Sequence, residues 1–436
     1  MATTTPTALP ITTIQPDFPA VLADVRAGAV PSEAIWVSCY KTGAPSVHAK
    51  ITAALDEVDR DAVRFEVNEG DVLLERSENG AYTVACPSLQ VHKTPVLSPA
   101  REFADPAHAP PRPPRRITAF AIAPDGTQFA CGYLDGAVRL SSTSLSPQHQ
   151  TLPKTHLSTV TSLTFFPSSR VLLSAGADFA LAVLPADPSS SDAPAPVRVL
   201  KGHTRAITAT AIIARGRNVL SASADGTLRL WDVGGGAQLR AIRARGGIAA
   251  IALDAGAPTT THTGTRDERE VGTEGIIVFC ALHDGGWEAL DLARGTSLFR
   301  SPPSSAAPLT AIAYSAAGLL ATGSARGVVS VYPTSPALTS APTHAFARNA
   351  AAITDFAFAP AGLVVGTDDG LAYVASFSSD AGEGEGEGEG EVRVRVRVRV
   401  GAELVGSDCD AVRVVRVRGG EVWVAGDDGV VRVYEP

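Results

Sequence analysis

The sequence predicts an all-β protein in which a seven-bladed β-propeller follows a small β-rich N-terminal domain. Three observations predict this fold. The 436 residues include 40 Gly and 31 Pro but only 6% aromatic residues, which suits many short strands joined by tight turns. Hydrophobic residues make up 45% of the chain, enough for a large core. A pattern of alternating strands around an Asp-Gly type of turn recurs along residues 117–436.

Each repeat has an alternating apolar strand, a turn, a second strand rich in Ala, Gly and Ser, an Asp-Gly type of turn and a third alternating strand. These turns recur at intervals of about 42 to 59 residues, close to the roughly 40–45 residues of a repeat that forms one four-stranded blade. A polar insertion near residues 255–274 and a run near 380–400 lengthen the two longest intervals. The repeats lie near residues 117–143, 160–185, 207–232, 248–292, 309–333, 353–377 and 412–435.

The last repeat has no fourth strand of its own, because Pro436 follows its third strand directly. A blade without its outer strand leaves an open sheet edge, so we expect the missing strand to come from before Ile117. Residues 88–97, SLQVHKTPVL, alternate in polarity and are the predicted closing strand. A Pro-rich, extended linker follows it, so that residues 88–116 form the closing strand and the connection.

The N-terminal part divides into a disordered start, residues 1–16, and a small β-rich domain, residues 17–87. Four segments of this domain have strand-like patterns: AIWVSCY, AVRFEVN, DVLLERS and AYTVACP. The segment ITAALDEV, residues 51–58, is predicted to form one or two helical turns. In the low-complexity insertion, residues 380–400, Glu-Gly repeats predict a solvated loop. The Arg/Val alternation after them predicts the outermost strand of the sixth blade, with charged residues protecting its edge.

Composition excludes several classes of function. The net charge of −8 and the isoelectric point near 5.6 argue against a nucleic-acid binder. No run of 18 apolar residues predicts a membrane span, and the first residues do not have the pattern of a secretory signal. The five cysteines are scattered and odd in number, which is typical of reduced thiols. We therefore expect a cytoplasmic protein that could also enter the nucleus, with no membrane or nucleic-acid partner.

The sequence has none of the common motifs of enzymes, and we expect no catalysis, no metal and no cofactor. It lacks a phosphate-binding loop, a nucleophile elbow and the His-Glu-x-x-His and Cys-x-x-Cys motifs. One constellation resembles a catalytic triad but is predicted to be structural: His203, Ser223, Asp225 and Trp231 should form a hydrogen-bond network within one blade. In the preceding repeat His156 could replace His203, and Leu184 stands where the tryptophan would be.

Residues 212–232, IIARGRNVLSASADGTLRLWD, with the preceding LKGHTRAITATA, and residues 161–179 resemble the WD-repeat proteins of the proteasomal ATPase-associated factor family. The two insertions are atypical, and the N-terminal 100 residues match only in kind. The resemblance implies an N-terminal domain before a seven-bladed propeller. It also implies a non-catalytic assembly chaperone of the proteasome regulatory particle, monomeric on its own. Its partner would be the C-terminal domain of a proteasomal ATPase subunit.

Acidic turns are the predicted partner-binding residues, since the turns between second and third strands share one face of a propeller. Two turns carry an additional acid, which the turn itself does not need and which could steer a basic domain. The alternative is that Asp-Asp-Gly is only a favourable hairpin turn. The candidate residues are Asp135, Asp284, Asp368, Asp369, Asp427 and Asp428.

Two other functions stay open. A different WD-repeat scaffold, such as a ubiquitin-ligase substrate receptor or a ribosome-assembly factor, would use the same face for another ligand. The absence of an F-box-like helical segment argues weakly against the ligase receptor. A propeller enzyme would need acids, histidines or a metal that converge on the central channel, where the inner strands are instead small and apolar.

Overall fold

Short antiparallel strands make up most of this protein, seen here in a computed structural model. The structure describes residues 5–56, 62–77, 80–105, 113–144, 148–152, 155–190, 195–255, 267–380, 395–407 and 409–435. Parts of several predicted segments lie outside the described residues: positions 1–4 of the start, 106–112 of the linker, 256–266 of the polar insertion and 381–394 of the low-complexity run.

Among the described residues, seven sheets share a core of four antiparallel strands, and we number them 1 to 7 along the chain. Sheet 1 consists of Ile117–Ile122, Gln128–Tyr133, Val138–Ser142 and His149–Leu152, and sheet 2 of Val160–Phe165, Val171–Gly176, Ala180–Pro185 and Arg198–Lys201. Sheet 3 consists of Ile207–Ile213, Asn218–Ser223, Thr227–Asp232 and Ala237–Arg243, and sheet 4 of Ile248–Ala255, Ile276–Leu282, Trp287–Asp291 and Thr296–Arg300. Sheet 5 contains Leu309–Ser315, Leu319–Ser324, Val328–Pro333 and His344–Ala347. Sheet 6 contains Ile353–Ala359, Gly362–Thr367, Tyr373–Asp380 and Arg395–Leu404. Sheet 7 contains Val412–Arg418, Glu421–Gly426, Val431–Tyr434 and Arg101–Phe103.

The sheets form a closed, propeller-like ring. The first strands of consecutive sheets contact one another, and the first strand of sheet 7 contacts that of sheet 1. Small residues on the second strands allow this close packing, as the Ala, Gly and Ser content of the repeats suggests. A methyl group at Gly132 would lie 2.5 Å from Cγ1 of Val160, and one at Gly323 would lie 2.6 Å from Cγ2 of Ile353. The cores therefore lie between neighbouring sheets.

Threonines at the second position of the first strands link neighbouring sheets. The strand register shifts at this position, so the side chain leaves the regular alternation. Four of these hydroxyls donate to the first backbone carbonyl of the next sheet: Thr118 to Val160 (2.7 Å), Thr208 to Ile248 (2.9 Å), Thr310 to Ile353, and Thr354 to Val412 (2.6 Å). In sheet 7 the corresponding residue is Arg413.

A further sheet and the longest described helix precede the ring. The helix Phe18–Arg26 has Pro19 in its first turn and buries Phe18, Val21, Leu22 and Val25, a spacing typical of one apolar helix face. This face packs on the N-terminal sheet, and a short 3-10 turn, Pro87–Leu89, follows later in the chain. The N-terminal sheet consists of Ile11–Ile14, Ser32–Tyr40, Val47–Leu55 and Val63–Glu69.

The N-terminal residues attach to the ring at sheets 5 and 6. Strand Thr7–Ala8 pairs in parallel with Phe346 and Ala347 of sheet 5. Strands Val91–Leu97, Tyr82–Cys86 and Leu73–Arg76 extend sheet 6 outward. The N-terminal chain and the ring therefore share two continuous sheets.

Two expectations about the N-terminal part are wrong. Residues 7–8 and 11–14 form strands, and Ile11 and Ile14 are buried, so the described part of residues 1–16 is not disordered. Residues 51–55 lie in the strand Val47–Leu55 and not in a helix. Alternate residues of that strand, Ala49, Ile51 and Ala53, are fully buried. Burial of every second side chain stabilises the strand more than the helical propensity of the alanines favours a helix.

The strand that completes sheet 7 is Arg101–Phe103 and not residues 88–97. Phe103 pairs with Val431, and its ring lies 5.1 Å from Phe129 and 6.0 Å from Trp423. Residues 91–97 instead form a hairpin with Tyr82–Cys86, and their end pairs with Glu403–Leu404 of sheet 6. The strand Arg395–Leu404 is consequently not the outermost strand of its sheet, but this outer pairing involves Glu403 and Leu404 and not the Arg/Val residues 395–400. Aromatic packing selected the three-residue strand, which is too short to show a sequence pattern.

Candidate partner-binding face

One face of the ring carries the turns between second and third strands together with the loops that join consecutive sheets. Antiparallel order places both at the same end of every sheet, and the remaining turns at the other end. We call this surface the turn face. Its turns lie at Asp135, Asp178, Asp225, Asp284, Arg326, Asp369 and Asp428, each followed by a residue with positive φ.

A buried hydrogen-bond network supports the turn face in sheet 3. His203 Nδ1 lies 2.9 Å from Asp225, and His203 Nε2 lies 2.7 Å from the hydroxyl of Ser221. Trp231 Nε1 donates to the same hydroxyl at 2.9 Å. The serine of the network is therefore Ser221 and not Ser223, whose hydroxyl contacts the Arg205 carbonyl and the Asp225 amide instead.

The physical reason for this correction is the strand register. Residues 221 and 223 share one side of their strand, and only the pairing of the strands decides which one reaches the histidine. The repeats contain a signal that identifies it: in sheet 2 the position equivalent to Ser221 is Ser174, whereas the position equivalent to Ser223 is Gly176.

The pKa values agree with a neutral imidazole in this network. Burial lowers the pKa of His203 in spite of the nearby carboxylate. Burial would raise the pKa of Asp225, but hydrogen bonds from Thr227, the Thr204 amide and His203 outweigh it and lower that pKa. A neutral His203 donates from Nδ1 to Asp225 and accepts at Nε2 from Ser221, which leaves the Ser221 oxygen free to accept from the indole.

Sheet 2 repeats the network without its tryptophan. His156 Nδ1 lies 3.0 Å from Asp178, and Nε2 lies 2.8 Å from Ser174. The Leu157 amide donates to the other Asp178 oxygen at 2.9 Å, which ties the inter-sheet loop to the turn. Leu184 is buried at the position equivalent to Trp231. Burial again lowers the pKa of the histidine.

The additional acids of sheets 6 and 7 are both bound to Arg413, so the expectation that each of them is free to face a partner needs correction. Arg413 donates from Nε and Nη2 to the two carboxylate oxygens of Asp427, at 2.9 and 2.7 Å. Its Nη1 donates to Asp368 at 2.7 Å. One guanidinium therefore bridges the two acids across neighbouring sheets, and the side chain of Asp427 is only 10% exposed while that of Asp368 is 48% exposed.

The other candidate acids also have partners within the ring. Each accepts a backbone hydrogen bond in its own turn, which is the ordinary structural role of aspartate there. Their other partners are Arg115 for Asp135 (2.7 Å), Arg245 for Asp284 (2.8 and 3.0 Å), Asn349 for Asp369 (2.6 Å) and Arg432 for Asp428. The turn face is thus a surface of compensated charges, and Asp135, with 61% of its side chain exposed, is its most accessible acid among these pairs.

A cavity of about 640 Å³ lies at the centre of the ring, between the first strands. Threonine and serine residues from sheets 1, 2, 3, 5 and 6 line it, and the Thr210 hydroxyl lies 2.8 Å from that of Ser162. The one carboxylate that lines the described cavity, Asp355, forms an ion pair with Arg416. No three His, Cys, Asp or Glu side chains of the described residues cluster as metal ligands would. No described helix is long and apolar enough to cross a membrane.

Comparison with known proteins finds WD repeats in this chain. The family described as WD domain, G-beta repeat matches residues 147–183 and 194–232, which include the networks of His156 and His203. The chain is 36% identical over 165 residues to the 26S proteasome regulatory subunit RPN14 of Saccharomyces cerevisiae. That match covers 36% of this chain and 38% of the relative, so it spans well under half of either protein.

Proposed function

We propose that this chain is a non-catalytic assembly chaperone of the proteasome regulatory particle base. Its turn face would bind the C-terminal domain of a proteasomal ATPase subunit. The observation that carries the proposal is the similarity to a 26S proteasome regulatory subunit, and the WD repeats found in this chain agree with it. We further propose that residues 117–436 form a seven-bladed propeller after an N-terminal domain at residues 17–87, and that the protein acts in the cytoplasm and can enter the nucleus.

The construction of the turn face supports a binding role. The histidine networks and the Arg413 bridge fix its turns and loops before any partner arrives. A surface that is already ordered loses little conformational entropy when a partner binds, and this favours affinity.

Two exposed acids would contribute to the encounter with basic side chains of the partner. Asp368 shares Arg413 with Asp427, which Arg116 also approaches at 3.8 Å, and 48% of the Asp368 side chain stays exposed. Asp135 lies on sheet 1, the next sheet around the ring. Exposed charges of this kind raise the association rate more than they lower the dissociation rate.

The test is a binding assay of the full chain against the isolated C-terminal domains of the six proteasomal ATPase subunits. We expect binding to one or two of them. An Asp135→Asn/Asp368→Asn variant should weaken binding by about threefold to tenfold at low salt and less at high salt, since exposed pairs contribute about 0.2–1 kcal/mol each.

The matched control is Asp187→Asn, an exposed acid in a turn at the opposite end of sheet 2. It should leave the affinity unchanged. Binding that survives the double substitution would retain the chaperone role and exclude the acids. If none of the six domains bound, the chaperone proposal would fail, and a WD-repeat scaffold with another ligand would replace it.

A further inference from the structure

Phe179 occupies a turn position that every other sheet fills with glycine. The six equivalent glycines have φ between +75° and +82°, and Phe179 has φ +68°. An aromatic L-residue in this left-handed region is a costly exception. Burial does not offset that cost well, because Phe179 is 42% exposed. A strained backbone that holds a large apolar side chain in solvent suggests that the side chain serves a contact.

Two exposed leucines lie near this turn on the same face. Leu157, in the loop between sheets 1 and 2, is 92% exposed, and Leu134, in the turn of sheet 1, is 59% exposed. The Leu157 amide is bound to Asp178, the neighbour of Phe179, at 2.9 Å. The Thr159 hydroxyl donates to the Leu134 carbonyl at 3.3 Å. These hydrogen bonds place Leu134, Leu157 and Phe179 on neighbouring turns and loops of the turn face, and we call their three exposed side chains the apolar patch.

Positive charge borders this patch. Arg116, 63% exposed, precedes the first strand of sheet 1 and lies 3.8 Å from Asp427. Arg205 is exposed, and the described residues give its guanidinium no partner. The loop that contains Arg205 joins sheets 2 and 3, and the repeat places it beside the Phe179 turn of sheet 2. The equivalent loop between sheets 1 and 2, residues 156–159, lies beside the Gly136 turn of sheet 1. Arg115 is balanced by Asp135. Arg205, whose guanidinium has no partner among the described residues, therefore favours a binding segment that brings a carboxylate beside the apolar side chains.

We propose that the apolar patch is the main contact of the turn face with its partner, and that it receives a segment with large apolar side chains flanked by Asp or Glu. This inference rests on the proposed function, because it assigns that segment to the ATPase C-terminal domain. Apolar anchors held rigidly at the centre of an interface carry most of its binding energy, whereas bordering charges act mainly on specificity.

The test measures the Kd of the full chain for the C-terminal domain that binds it, with Phe179→Gly and Leu157→Ser variants. Glycine is the residue of the other six turns, so Phe179→Gly should fold normally by circular dichroism and thermal melting. Each substitution should weaken binding by about tenfold or more. Arg205→Glu should also weaken binding, whereas Arg205→Lys, which keeps the positive charge, should bind as the wild type does.

The matched control is Leu298→Ser on the outer strand of sheet 4, where the leucine is 44% exposed. It should leave the Kd unchanged. An unchanged Kd in the folded Phe179→Gly and Leu157→Ser variants would overturn the patch and leave the proposed function intact. A wild-type chain that bound none of the six domains would overturn both, and equal losses in the Leu298→Ser control would also count against the patch.

Discussion

Arg413 holds Asp427 by two parallel hydrogen bonds, at 2.9 and 2.7 Å, at the position where four other sheets carry a linking threonine. The arginine is long enough to leave the ring centre and to reach the turn face, where it also contacts Asp368. Sheets 6 and 7 are therefore joined by Thr354 at the first strands and by Arg413 at the turns. Arg413 is therefore the main cation of this corner, and Arg116, 3.8 Å from Asp427, is the second.

Replacing Arg413 with methionine should lower the free energy of unfolding by about 2 kcal/mol. The substitution leaves Asp427 nearly buried without its main cation; a fully buried pair would cost about 3–5 kcal/mol, and Arg413 is 34% exposed. Urea unfolding measures the loss. Adding Asp427→Asn should recover part of it. Arg64→Met, at an exposed position of the N-terminal sheet, is the control; an equal loss there would contradict the bridge.

Alanine at Ser221 should destabilise the protein more than alanine at Ser223. Ser221→Ala leaves two buried groups, His203 Nε2 and Trp231 Nε1, without a partner, at about 1–3 kcal/mol each. Ser223 contacts only backbone groups near solvent, so its loss should cost about 1 kcal/mol. Ser174→Ala leaves one buried group, His156 Nε2, without a partner, so its destabilisation should lie between those of the other two variants. Chemical denaturation gives the ranking, and a larger loss at Ser223 would return it to the network.

Stability should decrease as the pH falls below about 6.5. Burial lowers the pKa values of His156 and His203 in the folded state, so the unfolded chain binds protons more readily. The contribution of these two neutral histidines to the free energy of unfolding is complete above pH 6.5. It is lost as the pH falls toward their pKa values in the folded state, at up to about 1.4 kcal/mol per pH unit for each histidine. Urea midpoints at pH 7.5, 6.5 and 5.5 test this. His203→Gln should flatten the dependence, the exposed His92→Gln should not, and a flat wild-type profile would refute the prediction.

Glu403→Gln should loosen the attachment of the N-terminal chain. Glu403 pairs with Arg348 at a site where both side chains are 4% exposed, and it accepts from the Thr12 amide at 2.9 Å. Arg348 also donates to the Pro10 carbonyl at 3.0 Å. An uncompensated buried arginine costs about 3 kcal/mol. Unfolding should show that loss, and proteolysis should cut residues 5–16 faster than in the exposed control Glu33→Gln. Equal cleavage of the two variants would argue against the attachment.

Repeats with strong local patterns could be predicted from the sequence. In residues 207–232 the alternation of apolar residues and the Asp-Gly turn predict three strands, since neighbouring residues determine them. The contact between His203 and Asp225 is instead what the resemblance to WD repeats implies, and the two side chains lie 2.9 Å apart. The helix Phe18–Arg26 was missed although its apolar spacing is visible. The sequence has Asp178-Phe179 where the other repeats have Asp-Gly or Arg-Gly, but only the positive φ and the exposure of Phe179 identify it as a candidate contact.

The sequence by itself determined the all-β class, the repeating strand pattern and the side of each strand that is buried, because these depend on residues within a few positions of one another. Only the tertiary structure decided that Arg101–Phe103 completes sheet 7, that Ser221 lies between His203 and Trp231, and that Arg413 compensates Asp368 and Asp427. These contacts join residues from separate sheets or depend on strand register, and ring closure selects among partners that are locally equivalent.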